Sequence, residues 1–117
     1  MFKADKCGNI TATQGDSGVL VQFLWEDEEK TTIFRLSEGE KIVFALRSLA
    51  GADAIILKET SAQNEDGSVM FAFTAQETAA LSRGEYIYDT ALCFVGDETQ
   101  KNTYAGGGKI KRTFTIV

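Results

Sequence analysis

Acidic side chains are the most numerous groups in this sequence that could carry chemistry. The run from Glu26 to Glu29 places four carboxylates in succession, and calcium in proteins is bound by oxygen ligands of this kind. The run lacks the spaced ligand pattern of a calcium loop and follows a strand-like segment, which favours a solvated hairpin tip. Asp89 stands out because it lies inside a strand pattern. Pairing of Asp89 with a cation or a backbone group is favoured over catalysis.

Two carboxyl groups at a suitable separation could also hydrolyse a glycoside, one of them acting as the general acid. The chain has 17 Asp and Glu residues, so some pair meets that separation by chance. No flanking motif singles out such a pair. A carboxylate-based hydrolase is therefore the least favoured of three functions.

Three aromatic residues, Trp25, Tyr88 and Tyr104, would form a sugar-stacking platform if they were exposed together. Trp25 continues the strand face of Phe23, which favours its burial. Tyr104 precedes the glycine-rich corner from Gly106 to Gly108 and is the best candidate for an exposed ligand contact. These residues make a carbohydrate-binding module that recognises bacterial cell-wall glycans the alternative function.

Other chemistry is excluded by composition. Histidine is absent, which removes Ser-His-Asp triads and metal sites that contain histidine. The two cysteines, Cys7 and Cys93, are too few for a Cys-rich zinc site. A disulfide between them stays open, although free thiols are favoured because the N-terminus lacks the apolar core of a secretory signal. The sequence therefore predicts no catalytic residue, no metal site and no cofactor.

Length and charge limit the partners. The 117 residues suit one domain spanning 1–117, with 1–8 as a loosely held terminus. The formal net charge of −5 opposes binding to nucleic acid, whose affinity comes from clustered Lys and Arg. The apolar runs are too short to cross a bilayer, so no membrane insertion is expected.

Period-two alternation of apolar residues recurs along the chain and predicts short strands. One face of the first long strand carries Val19, Val21, Phe23 and Trp25, and the other carries Leu20 and Leu24. Two further segments, 31–36 and 54–60, also look like strands. Turn signals between the segments favour an all-β sandwich or barrel. The remaining alternating sets are Ile42, Phe44 and Leu46, then Val69, Phe71 and Phe73, then Ile110, Phe114 and Ile116.

The segment from Thr74 to Asp89 predicts a short helix followed by a strand. Thr74 and Glu77 have the spacing of a capping box for a helix over 75–83, which packs Leu81 into the sandwich end. Gly84 is placed to take the left-handed conformation that ends the helix. The strand then begins with Tyr86, which is either the tyrosine corner of an immunoglobulin-like domain or a core residue with its hydroxyl at the rim.

The order of these features resembles a known family. It begins with Gly15-Asp16 before the first long strand and includes Leu81-x-x-Gly84-x-Tyr86-x-Tyr88-Asp89 before the last segments. The whole is similar to the immunoglobulin-like N-terminal domain of baseplate upper proteins from phages of Gram-positive bacteria. Those proteins continue into long C-terminal segments, whereas this chain stops at the end of the sandwich, which favours a stand-alone tail or prophage protein.

The resemblance implies a non-enzymatic structural or assembly protein located in the virion tail or, during assembly, in the host cytoplasm. Its partners would be other tail or baseplate proteins, or further copies of itself in a homo-oligomer. The fold expected is an immunoglobulin-like antiparallel β-sandwich of about 7–9 strands. Docking is expected to use edge strands or a sheet face, and the absence of proline leaves the edge strands without one common protection against pairing. The last strand, near Thr113, is taken as such an edge.

Overall fold

The computed structural model describes residues 1–49, 51–94 and 112–117, together with the backbone of 97–103. These residues form nine strands and one short helix. In chain order the elements are β1 (Phe2–Ala4), β2 (Ile10–Ala12), β3 (Gly18–Phe23), β4 (Glu40–Arg47), β5 (Ile56–Thr60), β6 (Ser68–Phe73), α1 (Ala75–Ala79), β7 (Gly84–Phe94), β8 (Asp97–Thr103) and β9 (Arg112–Ile116).

The strands form two sheets that pack face to face, which confirms the predicted all-β sandwich. The large sheet has the order β1-β2-β9-β7-β4-β5, with β8 pairing the second half of β7, and the small sheet contains β3 and β6. The described pairs are antiparallel except for β2 and β9, which are parallel. The antiparallel prediction is wrong for that pair. A parallel pair requires a long connection, and most of the sandwich lies between β2 and β9 in the chain.

The core lies between the sheets and is rich in aromatic rings. The ring of Phe44, from the large sheet, is fully buried and lies 5.7 Å from Phe71 and 5.2 Å from Phe73 of the small sheet. Its third neighbour is Tyr88, 5.0 Å away on β7. Burial of each such side chain contributes roughly 1.5–3 kcal/mol. The alternation seen in β4, β6 and β7 therefore reports the inner faces of both sheets.

The first residues are part of the sandwich. Phe2 lies in β1, which pairs with β2, and its ring stacks on Phe73 at 5.6 Å and meets Phe114 edge-on at 5.9 Å. Gly18 leaves the space that this ring occupies, since a Cβ there would lie far inside contact distance of Phe2. The prediction of a loosely held terminus over 1–8 did not anticipate β1 or the packing of Phe2 against the core.

The segment 31–36 was predicted to be a strand but does not form one. Its only ladder contact in the described structure is an isolated bridge between Trp25 and Ile33. Beyond that bridge, the side chain of Gln63 supplies hydrogen bonds to the backbone. Its amide nitrogen donates to the Phe34 carbonyl at 2.7 Å, and its amide oxygen accepts from the Leu36 N–H at 2.9 Å. A side chain thus satisfies groups that a neighbouring strand would otherwise bind.

The predicted capping box is present at α1. The Thr74 hydroxyl accepts from the Glu77 N–H at 3.1 Å, and the Glu77 carboxylate accepts from the Thr74 N–H at 2.9 Å. The helix is shorter than predicted, ending at Ala79 rather than at residue 83. Leu81 donates its N–H to the Thr78 carbonyl at 3.2 Å, a tighter turn that is accompanied by burial of the Leu81 side chain.

Gly84 does not end the helix. It opens β7 with a φ of +142°, a backbone conformation that favours glycine, five residues after the last helical residue, Ala79. The predicted left-handed cap is therefore wrong, because the chain leaves the helix earlier at Ala80, which keeps a right-handed backbone.

A tyrosine corner follows at the start of β7. The Tyr86 hydroxyl donates to the carbonyl oxygen of Ser82 at 2.8 Å. A tyrosine near the start of a strand that binds a carbonyl a few residues upstream is the tyrosine corner of immunoglobulin-like sandwiches. Of the two interpretations open for Tyr86, this geometry agrees with the corner.

The last strand is central in its sheet. β9 lies between β2 and β7, and Thr113 pairs with Ile87 while its N–H donates to the Asn9 side-chain oxygen at 3.0 Å. The choice of Thr113 as an edge position is therefore wrong. The order of strands in a sheet depends on long-range pairing, which alternation within one strand does not report.

Candidate functional site

The outer face of the small sheet is apolar and exposed. Val19, Val21 and Phe23 project from β3 with exposed fractions of 51%, 49% and 47%. Met70 lies opposite Val21 on β6 and is 52% exposed. We call these four residues the apolar face. Contiguous apolar surface of this kind on a protein marks a binding site more often than scattered single residues do.

The buried side of β3 is the one that carries Leu20 and Leu24. Trp25 continues the opposite side and is partly exposed, so the burial favoured by the sequence is incomplete. Its ring stacks on Phe23 with 6.3 Å between the ring centroids. Both sides of this strand are apolar, so alternation alone did not indicate which side faces the core.

One edge of β3 has no hydrogen-bonded strand in the described part of the chain, although β1 lies near its start, where Phe2 packs against Gly18. The Leu24 N–H donates to the Gly67 carbonyl at 3.3 Å, so Leu24 faces the β6 side. In an antiparallel ladder the bonding direction alternates from residue to residue. Gln22 therefore also faces β6, while the backbone groups of Val21 and Phe23 point to the open edge. We call Val19, Val21 and Phe23, which share this direction, the edge residues.

The open edge lacks the usual protection against pairing. Natural edge strands carry charges, proline or bulges that prevent the addition of another strand. The segment from Gly18 to Phe23 contains no charged residue and no proline, and its pairing with β6 is regular from end to end. The edge residues thus present apolar side chains on one face and backbone donors and acceptors at the margin.

A cleft of about 260 Å³ lies beside the open edge. The turn between β1 and β2 forms one part of its lining, and β3 forms another. Tyr88 reaches the cleft from β7, where it is largely buried, and donates its hydroxyl proton to the Gly8 carbonyl. Burial raises the pKa of Tyr88, so the hydroxyl stays protonated at neutral pH. The residues that line the cleft are Ala4, Asp5, Lys6, Gly8, Leu20, Val21, Gln22, Phe23, Trp25, Lys30, Tyr88 and Arg112.

The cleft has an excess of positive charge in a chain whose net charge is −5. Lys6, Lys30 and Arg112 contribute cations, and Asp5 is the acid among the lining residues. Asp5 accepts hydrogen bonds from the backbone of Asn9 at 2.9 Å and of Cys7 at 2.8 Å. These bonds, that of Asn9 foremost, lower the pKa of Asp5, which keeps the carboxylate charged and folded back on its own turn.

A compact turn holds Lys30 beside the cleft. Lys30 has a φ of +59°, a left-handed conformation that is uncommon for residues other than glycine. The Asp27 carboxylate accepts from the N–H groups of Thr31 at 3.0 Å and Thr32 at 3.1 Å. Side-chain caps of this kind fix a turn, so Asp27 acts in local structure.

The acidic residues of the described chain are engaged in local structure and ion pairs. Within the described residues no group of three or more Cys, Asp or Glu side chains is placed to hold a metal ion. Asp89 lies on β7 and faces Arg47, whose guanidinium nitrogen is 3.4 Å from its carboxylate. This is the cation pairing favoured for Asp89. Asp66 bonds the hydroxyl of Ser68 at 2.6 Å within its own turn.

The sequence-predicted residues occupy separate places. Trp25 and Tyr88 line the cleft, whereas Tyr104 and the corner from Gly106 to Gly108 lie outside the described residues. The residues of the helix and corner motif do not line it; they are Thr74, Glu77, Leu81, Gly84 and Tyr86. Cys7 is exposed and Cys93 is buried, and no disulfide joins them.

The open edge of β3 was missed by sequence reasoning. The signal that could have found it is the uncharged run from Ser17 to Trp25, apolar on both strand faces. A strand that is apolar on both faces either lies in the centre of a sheet or exposes one face for binding.

Comparisons with protein-family models, with curated proteins and with solved structures gave no match for this chain. In the described part of the chain no helix has the length and apolar character needed to cross a membrane. The fold and the exposed edge define the molecule as a β-sandwich whose small sheet is open on the side of β3.

Proposed function

We propose that this chain is a non-enzymatic docking module that binds another protein through β3. The observation that carries the proposal is the coincidence of two features on the edge residues. Their side chains form the apolar face, and their backbone groups point to an edge without a partner strand among the described residues. Strand addition uses these two features together, backbone bonds for affinity and side-chain contacts for specificity.

The assembly in which such docking takes place is a phage or prophage tail or baseplate. This part of the proposal is supported by the sequence resemblance to the immunoglobulin-like domain of baseplate upper proteins. Partners would then be other tail or baseplate proteins, or further copies of this chain, and the module would act in the virion or in the host cytoplasm during assembly. Tail or tape-measure genes beside this gene would support the assignment, and a metabolic operon would count against it.

The test uses purified tail and baseplate proteins encoded beside this gene, each titrated into the folded chain in a calorimeter. We expect one of them to bind, and we expect Val21→Lys to abolish binding because it places a charge in the centre of the apolar face. Light scattering of the chain alone measures self-association in the same series.

Leu57→Lys is the matched control. Leu57 is also an exposed apolar residue on an edge strand, β5, but it belongs to the large sheet. The proposal requires that binding or self-association survives Leu57→Lys and is lost with Val21→Lys. Binding that is lost with Leu57→Lys and kept with Val21→Lys would move the site to β5, and no association with any of these proteins would overturn the docking function.

A carbohydrate-binding module is the second candidate. It is favoured by the stacked pair of Phe23 and Trp25, which presents aromatic surface at the rim of the cleft. Calorimetry with purified bacterial cell-wall polysaccharide tests it. Saturable binding that is lost in Trp25→Ala, with the fold intact by circular dichroism, would support this function, and absence of heat would remove it.

A further inference from the structure

We infer that the occupant of the open edge is an extended segment of the partner protein with acidic side chains on one face and apolar side chains on the other. This inference rests on the proposed docking function and specifies the chemistry of the partner. It is carried by the direction of the backbone groups on β3 and by the charge of the cleft beside them.

The backbone groups determine the shape of the occupant. The edge residues direct their N–H and C=O groups away from β6, at every second residue along the strand. Only an extended chain places its own donors and acceptors at the same spacing. An added strand would enlarge the small sheet from two strands to three, a size at which a sheet with one apolar face is stable on its own.

The two faces of the sheet determine the side chains of that strand. Successive residues of an added strand point alternately to the outer face and to the cleft. Those on the outer face lie beside Val21 and Phe23, both about half exposed, which favours apolar residues there. The cleft is lined by Leu20 and Gln22, on the other face of β3, as well as by Val21 and Phe23. Side chains of the added strand on the face of Leu20 and Gln22 point into it, and its volume of about 260 Å³ admits side chains but is below the lower end of the range for drug-sized ligands, roughly 300 Å³.

The charge of the cleft favours acidic residues on that second face. Lys6 and Lys30 line it, Arg112 lines it while donating to the Cys7 carbonyl, and the Asp5 carboxylate is bonded within its own turn. An acidic strand would place its carboxylates against these cations. A second copy of this chain that paired through its own β3 would bring no acid within that strand, because the segment from Gly18 to Phe23 has none. The charges therefore favour a different protein over a second copy.

The experiment is an NMR titration of the isotope-labelled chain with short synthetic peptides. One peptide alternates valine with glutamate, and its counterpart alternates valine with lysine. We expect the glutamate peptide to shift the amide signals of the edge residues saturably and to slow their hydrogen exchange. The lysine peptide should bind about tenfold more weakly, as a few partly exposed ion pairs require.

Two controls separate the backbone bonds from the charges. A glutamate peptide that is N-methylated at alternate residues lacks the N–H groups that the ladder with β3 requires in one register. It should therefore bind more weakly than the unmethylated peptide. The double variant Lys6→Glu, Lys30→Glu should reverse the preference between the two peptides without altering the fold, which the dispersion of the amide spectrum reports.

Each outcome decides the inference. Equal binding of both peptides at the edge residues would overturn the acidic partner and leave strand addition intact. No shift at these amides with either peptide at millimolar concentration would overturn strand addition. Concentration-dependent shifts at the same amides without peptide would assign the edge to a second copy. The docking function itself fails separately, on the comparison of Val21→Lys with Leu57→Lys in binding to tail and baseplate proteins.

Discussion

Leu24 donates its backbone N–H to the carbonyl oxygen of Gly67 at 3.3 Å, and this bond establishes the phase of the ladder between β3 and β6. Because the bonding direction alternates along an antiparallel strand, the amides of adjacent residues on β3 point in opposite directions. The Gln22 amide faces β6. The Val21 amide faces the open edge, although the two residues are adjacent.

Proline substitution distinguishes these two positions. Proline lacks the N–H group and is tolerated on an edge strand where that group faces solvent. Val21→Pro should therefore leave the fold intact and remove strand addition. Gln22→Pro should lower the free energy of unfolding by about 1–3 kcal/mol more than Val21→Pro does, because a β6 carbonyl loses its hydrogen-bond partner. Urea denaturation of both variants measures the difference, and equal losses would show that the phase assigned to β3 is wrong.

The contact between Gly18 and Phe2 predicts coupling between the first strand and the small sheet. Gly18→Ala places a methyl group where the Phe2 ring lies, and overpacking of this kind typically costs about 1–3 kcal/mol. In the background of Phe2→Ala the same change should cost little, since the ring is gone. A double-mutant cycle by urea denaturation measures this coupling, and additive losses would place the ring elsewhere.

The tyrosine corner predicts a modest stability loss in Tyr86→Phe. The substitution removes the bond to the Ser82 carbonyl and leaves the ring, so the expected loss is about 0.5–1.5 kcal/mol. Tyr88→Phe is the comparison with the same chemistry, because its hydroxyl bonds the Gly8 carbonyl at a more buried position. Thermal unfolding should rank Tyr88→Phe as the more damaging change, and the reverse order would contradict the burial assigned to Tyr88.

Glu77 predicts a specific pH dependence of stability. Hydrogen bonds from the Lys58 ammonium, at 2.7 Å, and from the Thr74 N–H lower the pKa of Glu77 in the folded chain. A folded pKa below the unfolded one means that the stabilisation is present above the unfolded pKa and is lost as pH falls through the folded pKa. Glu77→Gln should therefore flatten the decline of the unfolding free energy below about pH 4.5, the ordinary pKa of this group.

Lys58→Met controls the cause of that effect. It removes the larger of the two influences on Glu77 and keeps the bond from Thr74, so the decline should be flattened only in part. Unfolding free energies measured by urea denaturation between neutral pH and pH 3 distinguish the variants. A decline identical to that of the parent chain in both would assign the acid sensitivity to other carboxylates.

The parts of the fold that local patterns report were predictable. Phe44 and Phe71 are the middle residues of the period-two sets Ile42-Phe44-Leu46 and Val69-Phe71-Phe73, and both face the core. Thr74 and Glu77 form their capping box within four residues, so spacing alone was sufficient. Local sequence also indicated the pairing of Asp89 with a cation, although not which cation.

The candidate site depends on relationships that are not local. Val19 and Leu20 are both apolar, so the choice of buried face followed from the large sheet and not from β3 itself. Phe2 gave no periodic signal because its strand has three residues. The position of Thr113 in the middle of the large sheet follows from pairing with β2, a strand about a hundred residues earlier in the chain.

The parallel pair of β2 and β9 has a mechanical consequence. The two strands run side by side from Ile10 opposite Phe114 to Ala12 opposite Ile116, and Val117 extends the contact by donating its N–H to the Ala12 carbonyl at 2.9 Å. Tension that pulls the start of β2 and the end of β9 apart acts along both strands in opposite directions. The bonds between them are then loaded in shear and must yield together, so this pair acts as a clamp that resists stretching once β1 has peeled away.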